Sequence, residues 1–313
     1  MSGPVTSGGD PIEVPPVQDE PAFEVRDDRV AQVGTTEVRR ALPQRERRTV
    51  GAWCFADHFG PTASGAPGIG PHPHIGLQTV TWLLEGELLH RDSVGSEQLI
   101  RPGQLNLMTA GNGVTHAEEH PDPAEQDAGR APVGHGVQLW VAQPADTRSG
   151  APAFEHHAEL PQVELAGATA TVLVGDLAGA RSPARADTAH VGFQVALRGA
   201  AEVPLAEGFE HAVLPLDGPI TLDGRPLAVG QVAYLGPGRA ATTLDGGGRA
   251  LVLGGEPWED RVVMWWNFVA RSQDELATAY RDWQGHHERF GQVTSVLDRI
   301  PAPRPHWLPA GAG

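Results

Sequence analysis

The sequence predicts an all-β fold of two tandem jelly-roll β-barrels with one short helix near the C-terminal end, and three observations carry that expectation. Short runs rich in Val, Leu, Thr and aromatics are separated by Gly, Pro, Asn and Asp turn signals. A stretch in the first half of the chain is echoed in the second. Helical spacing appears only late.

Taken in order, residues 1–21 are rich in Pro, Gly, Asp and Glu, have little to bury, and read as a disordered tail. The Arg-dense run VRRALPQRERRTV, Val38 to Val50, reads as a solvated surface strand or an ion-pair network. In AWCFAD the single cysteine, Cys54, sits among apolar neighbours and reads as a core residue. One thiol excludes an internal disulfide and a thiolate metal site. Asp57 and His58, in FADHFG before Gly-Pro, read as a turn bonded to the backbone.

The runs QTVTWLL, QLNLM and VQLWVA then supply strands of a first barrel, and TATVLVG, QVAYL and ALVLGG those of a second. The turn-rich stretch QPADTRSGAPAFEHH separates them, which places the first barrel at residues 22–150 and the second, with the helix, at 151–300. Ser272 caps QDELATAYRDWQ, Asp274 and Glu275 fall where the helix dipole favours acids, and Leu276, Tyr280 and Trp283 share one apolar face. Residues 301–313 read as a second loose tail.

The echo is specific. LLEG at Leu83 to Gly86 and PGQLNLMTAG at Pro102 to Gly111 return as PLDG at Pro215 to Gly218 and VGQVAYLGPG at Val229 to Gly238. Two copies of one barrel unit explain it, and 313 residues with 40% apolar content can fill two modest cores.

The formal charge is -16 and all 23 basic residues are arginine, so a phosphate backbone would be repelled and nucleic-acid binding is excluded as a function class. No apolar run of about 18 residues exists to span a bilayer. The first thirty residues are acidic and Pro-rich rather than basic then apolar, so a cytoplasmic protein with no export leader is expected.

The chemistry concentrates in PHPHIGLQTV, Pro71 to Val80, and THAEEH, Thr115 to His120. On a strand, residues two apart share a face, so His72 with His74 and His116 with Glu118 form two same-face pairs. Pro71 and Pro73 suit a strand entrance, and the Gly111-Asn112-Gly113 turn can bring the second pair beside the first. Three imidazoles and one carboxylate then converge. That set suits one divalent metal, Fe(II) first, with Mn, Ni, Cu or Zn also accepted. Four protein ligands on an octahedral ion leave two positions for a bidentate substrate, or for substrate and dioxygen.

The second copy is an internal control. Counting from its glycine turns, the four positions fall on Pro204, Ala206, Thr243 and Asp245, so one metal per chain is expected. His90 and His120 read as surface residues or as residues bonded to a ligand, and either replaces a ligand if the strand register differs. His156, His157, His286 and His287 read as solvent-facing. The chain lacks GxGxxG, P-loop and GxSxG patterns, which removes nucleotide-dependent and serine-hydrolase readings.

The stretches RRTVGAWCFADHFGP, HPHIGLQTVTWLLEGELLHRDSVG, RPGQLNLMTAGNGVTHAEE, VQLWV and GGEP resemble the pirin family of the cupin superfamily, over about Val25 to Val293. The resemblance implies two cupin barrels packed face to face, with an N-terminal segment and a C-terminal helix spanning both. It also implies one iron held by His72, His74, His116 and Glu118. Pirins often read HPHRGFET where this chain has HPHIGLQT, so Ile75, Leu77 and Gln78 depart from the pattern, with Gln78 expected on the ligand face.

Two functions from different classes follow from the resemblance. One is a quercetin 2,3-dioxygenase-like enzyme that cleaves a small aromatic flavonol with dioxygen; the other is a metal- and redox-dependent partner of a transcription factor or metabolic enzyme. The enzyme is the preferred expectation, with Glu118 as both ligand and general base. Gln78, Trp82 and Met108 are its candidate pocket residues, although for Trp82 and Met108 the reading as core residues leads. A bicupin whose metal only stabilises the barrel is the third expectation.

Overall fold

A computed structural model describes residues 23–33, 36–62, 68–121 and 134–308. The 1–21 tail and the last residues of the 301–313 tail lie outside them. Twelve strands occupy the first half: β1 (Glu24–Asp27), β2 (Arg29–Val33), β3 (Thr36–Leu42), β4 (Trp53–Thr62), β5 (Ile69–His74), β6 (Leu77–Glu85), β7 (Leu88–Asp92), β8 (Glu97–Ile100), β9 (Leu105–Thr109), β10 (Val114–Glu119), β11 (Gly134–Ala142) and β12 (Ala153–His157).

The first barrel is a seven-stranded sheet, β12-β9-β6-β11-β4-β3-β2, facing a four-stranded sheet, β5-β10-β7-β8. In the second barrel the large sheet runs β1, Gln231–Leu235, Glu210–Asp217, Arg249–Gly255, His190–Leu197, Ala168–Val174, Gln162–Leu165. Its small sheet runs Ala201–Pro204, Ala241–Gly246, Ile220–Leu222, Arg225–Leu227. Strand order is the same in both, so the echo in the sequence is a repeated bicupin topology.

The edge strands are exchanged between the barrels. β1 precedes the first barrel but pairs in the second, with Val25 opposite Ala233. β12 precedes the second but pairs in the first, with Phe154 opposite Met108. A division between residues 150 and 151 therefore cuts off a strand that the first sheet owns. Pairing also draws His156 and His157 out of solvent: both are half-buried, and the His156 Nδ1 lies 2.7 Å from Asn106 Oδ1.

The large sheets pack against each other through an apolar seam. Val80, Trp82 and Leu84 of β6 and Val137, Leu139 and Val141 of β11 meet Leu214, Leu216, Leu251 and Leu253 there. Trp53 is fully buried at the join, and its Nε1 donates to Val191 O at 3.1 Å and Gly254 O at 3.2 Å. Within the Arg-dense run, Arg40 and Arg47 are paired, while Arg45 and Arg48 are exposed. Arg40 holds Asp57 through two 2.7 Å bonds, and the Arg47 guanidinium lies 3.1 Å over the Tyr234 ring. FADHFG is not a turn: Asp57 and His58 lie inside β4, opposite Gln138 and Val137. The strand runs on through Gly60-Pro61 to Thr62 instead of reversing there.

Ser272 caps helix α1 (Gln273–Gln284), accepting from Glu275 N at 3.2 Å, and Leu276, Ala279 and Trp283 are buried. The helix packs with Ile75, Phe268 and Phe290 against the first barrel, although it follows the second in sequence. Residues 301–308 are likewise not loose: Ala302 is buried, and its N–H donates to Gln284 Oε1 at 3.2 Å. No helix among the described residues is long and apolar enough to cross a membrane.

Burial also leaves a titration signature in the second barrel. His211 is buried with neither ring nitrogen bonded, and burial lowers it to about 4. A folded pKa below the unfolded value near 6.5 favours the neutral ring, so its contribution is present above about 6.5 and lost as pH falls towards 4. His211→Leu is therefore expected to match the wild type or exceed it at pH 7, and to gain on it by about 1–3 kcal/mol by pH 4 in denaturant titrations. A constant difference between the two proteins across that range would contradict the assignment.

Candidate metal centre

Antiparallel pairing of β10 with β5 sets His116 opposite His72 and Val114 opposite His74. The donor atoms of His72, His74 and His116 all lie within 4.8 Å of one another, and all three rings are buried. Burial is the main force lowering each imidazole, His72 to about 4 and the other two well below their ordinary value. At neutral pH the rings are uncharged and carry lone pairs that a metal can use.

The proton positions follow from the partners. His72 Nδ1 lies 2.9 Å from Gly70 O and His74 Nδ1 lies 2.9 Å from Asn267 O, and because a carbonyl only accepts, each Nδ1 carries the proton. His90 Nε2 lies 3.1 Å from Asp92 Oδ2 and donates to it, so the other nitrogen of His90 accepts from His116 Nδ1 at 3.4 Å. All three Nε2 atoms are then bare. His74 Nε2 and His116 Nε2 stand 3.1 Å apart with no proton to share, close to the roughly 3 Å between adjacent nitrogens on an ion bound at about 2.1 Å. The donor set fits a divalent metal.

Glu118 follows on the same strand, past a register shift at the β5 edge, and its carboxylate is not part of the 4.8 Å group that the three imidazoles form. Its Oε1 is buried without a protein partner, and burial raises the carboxyl to about 7. His120 lines the same cavity, and His90 is the buried residue that orients His116 rather than a surface residue. Asp92 completes that chain. Burial pushes its carboxyl up, but bonds from His90 and Ser96 outweigh this and hold it below the usual range. Phe154 of the exchanged strand stacks on His90 with ring centres 4.4 Å apart. His90→Phe keeps that stack and removes the relay, so it is expected to weaken metal binding by about 10- to 100-fold in a chelator competition. Unchanged affinity would show that His116 needs no such support.

A cavity of about 520 Å³ lies between the two sheets of the first barrel and reaches His72, His74 and Glu118. Phe55 and Trp140 form its apolar wall, stacked with ring centres 4.0 Å apart, and Trp140 also meets His74 edge-on at 5.1 Å. The Arg40–Asp57 pair and Gln138 line it as well.

Comparison with known proteins places the chain. The family model "Pirin" matches residues 35–141, and that of the pirin C-terminal cupin domain matches residues 191–291. The chain belongs to the pirin family. A Pseudomonas aeruginosa protein provisionally named a quercetin 2,3-dioxygenase is 45% identical over 288 residues, 89% of each chain. A Caulobacter vibrioides pirin-like protein is 39% identical, covering 83% of this chain and 92% of its own. The crystal structure of an Acinetobacter baumannii quercetin 2,3-dioxygenase superposes with a TM-score of 0.84 at 40% identity, covering 92% of this chain and 97% of that one.

Within this pirin fold three expected pocket residues lie elsewhere. Gln78 is not on the ligand face: it pairs with Val141 of the seam, and its Nε2 donates to Thr109 Oγ1 at 3.1 Å. The chain turns at Gly76, where φ is +65°, and passes from the small sheet to the large one, so the alternation that links His72 to His74 stops there. Trp82 faces the seam and donates to Gln194 Oε1 of the second barrel at 2.9 Å. Met108 packs with Cys54, Leu77, Phe55 and Trp140 behind the cavity wall and does not line it. Cys54 is a core thiol, pushed by burial to about 12.

The second barrel carries different counterparts from those the count gave. Val203 pairs with Thr242 and Leu222 with Leu244, answering to His72 with His116 and His90 with Glu118. The apolar filling is therefore Val203, Leu205 and Leu244 with Thr242, each one residue before the counted Pro204, Ala206, Asp245 and Thr243, because loop lengths differ by one between the copies. Thr243 and Asp245 are exposed.

Proposed function

We propose that this pirin is a metal-dependent dioxygenase of flavonol-like substrates such as quercetin. His72, His74 and His116 would hold one divalent ion, Fe(II) before Mn, Ni, Cu or Zn, with Glu118 as the proposed fourth ligand. The observation that carries this reading is the juxtaposition of three bare imidazole nitrogens with a cavity of about 520 Å³ walled by Phe55 and Trp140. That volume suits a drug-sized aromatic molecule. The 45% identical relative, itself provisionally named for this activity, supports the same substrate class.

When bound, a divalent ion would supply Lewis acidity that lowers the pKa of a flavonol's 3-hydroxyl. The protein supplies the rest. Phe55 and Trp140 give the flat ring an apolar face and exclude water, and Glu118, whose Oε1 has no protein partner, takes the hydroxyl proton. An oxygen-dependent loss of quercetin absorbance in the iron-loaded protein is the test. Oxygen-independent loss, or none with any flavonol, would end the enzyme reading.

A further inference from the structure

The C-terminal segment closes the cavity with a turn whose geometry is costly. Val263–Trp265 and Phe268–Ala270 form a hairpin with Trp265 opposite Phe268, leaving Trp266 and Asn267 as its two turn residues. Trp266 has φ +53°, in the left-handed region, at the first turn position where a two-residue hairpin with one positive φ ordinarily has glycine. Glycine is abundant in this chain and fills most positive-φ positions. Of the four described residues that are exceptions, Ala178, Asp223 and His286 are exposed, whereas Trp266 is half-buried and lines the cavity.

The next residue makes the placement meaningful. Asn267 O is the acceptor that fixes His74 Nδ1 at 2.9 Å, so the same turn orients a ligand histidine and delivers an indole to the cavity. Strain held at such a position has to be offset by the surrounding packing: Trp266 lies against the apolar cluster that includes Ile75, Phe268 and Phe290, and its ring meets Phe268 edge-on at 5.5 Å and Trp265 at 6.3 Å.

We propose that Trp266 is a substrate-positioning residue: the strained turn presents its indole as a wall of the cavity beside His74, where it selects a flat aromatic ligand. This rests on the proposed flavonol substrate. Phe55 and Trp140 come from the large sheet of the first barrel, and Trp266 comes from chain that follows the second barrel. The ligand is then held by two parts of the sequence that meet only in the complete fold.

Quercetin binding to the full-length protein loaded with zinc, which has no redox chemistry, separates binding from turnover. Trp266→Ala and Trp266→Gly are expected to bind quercetin at least about tenfold more weakly, while Trp266→Phe stays within about threefold of the wild type. Metal content should stay unchanged in all three. Trp266→Gly should melt higher than Trp266→Ala, the reverse of the usual order, because glycine tolerates the positive φ. Wild-type affinity in both truncations, a lower melting temperature for Trp266→Gly, or absence of quercetin binding by the wild type would each overturn the proposal. If the wild type binds and the truncations weaken binding, but the iron-loaded protein consumes no quercetin, Trp266 keeps its role and the dioxygenase reading alone falls.

Discussion

Replacing His116 by alanine is expected to abolish both metal retention and any flavonol turnover, the largest functional effect a single substitution can have here. His116 is the ring that the others converge on: it stands 3.1 Å from His74 Nε2, its ring centre is 4.3 Å from that of His72, and its far side is held by His90. Removing it deletes one donor and leaves the Asp92–His90 pair with nothing to orient. Metal affinity should fall by more than the roughly 10- to 100-fold typical of losing an outer partner. Elemental analysis after dialysis reads this directly. Stability supplies a second measure, because a ligand bound only by the native state raises the melting temperature in proportion to the logarithm of its concentration over Kd. The metal-dependent rise should vanish in His116→Ala. The metal-free protein should change much less, since the substitution also removes a lone pair that faces another without a proton. A variant that keeps one metal per chain would refute the centre as described.

The largest stability effect is expected at Trp53. Its side chain is fully buried where the two barrels meet, its indole N–H serves two carbonyls of the second barrel, and His190 packs edge-on at 5.3 Å. A Cβ on Gly192 would come within 2.8 Å of the indole, so the second barrel is shaped around this ring. Trp53→Ala should cost about 3–5 kcal/mol, the range for emptying a buried aromatic site. Because the loss falls on the seam, denaturant unfolding followed at both barrels should split from one transition towards two. A loss below about 1 kcal/mol with a single transition would mean that the apolar seam residues hold the barrels together without Trp53.

The repeat, the helix with its Ser272 cap, and the convergence of His72, His74 and His116 were all legible in the sequence, because each depends on local periodicity or spacing. What was not legible depended on sheet changes. Gln78 sits four residues after His74 and looks in phase with it, but the turn at Gly76 moves the chain to another sheet. Trp82 is apolar and near the motif, yet its strand offers one face to the cavity and the other to the seam, and only the partner barrel decides between them. Phe55, Trp140 and the Arg40–Asp57 pair lie on strands far from the histidines in sequence, without a motif of their own. Trp266 left one trace, a bulky residue before Asn where a tight turn usually has glycine, and that trace becomes readable only once the hairpin is known.

The exchange of β1 and β12 gives the two halves a shared fate. Each large sheet ends in a strand that arrives from just ahead of the other barrel, as two people linking arms each occupy the other's elbow. In such a handshake neither half can be cut out whole: a fragment ending before β12 would leave β9 with an open edge, and one starting after β1 would leave the Gln231–Leu235 strand exposed. The pattern is that of a two-fold dimer with swapped arms, written into a single polypeptide. Within that shared frame one half fills its interior with Val203 and Leu244 while the other carries the three histidines, so the two copies differ inside and still support each other.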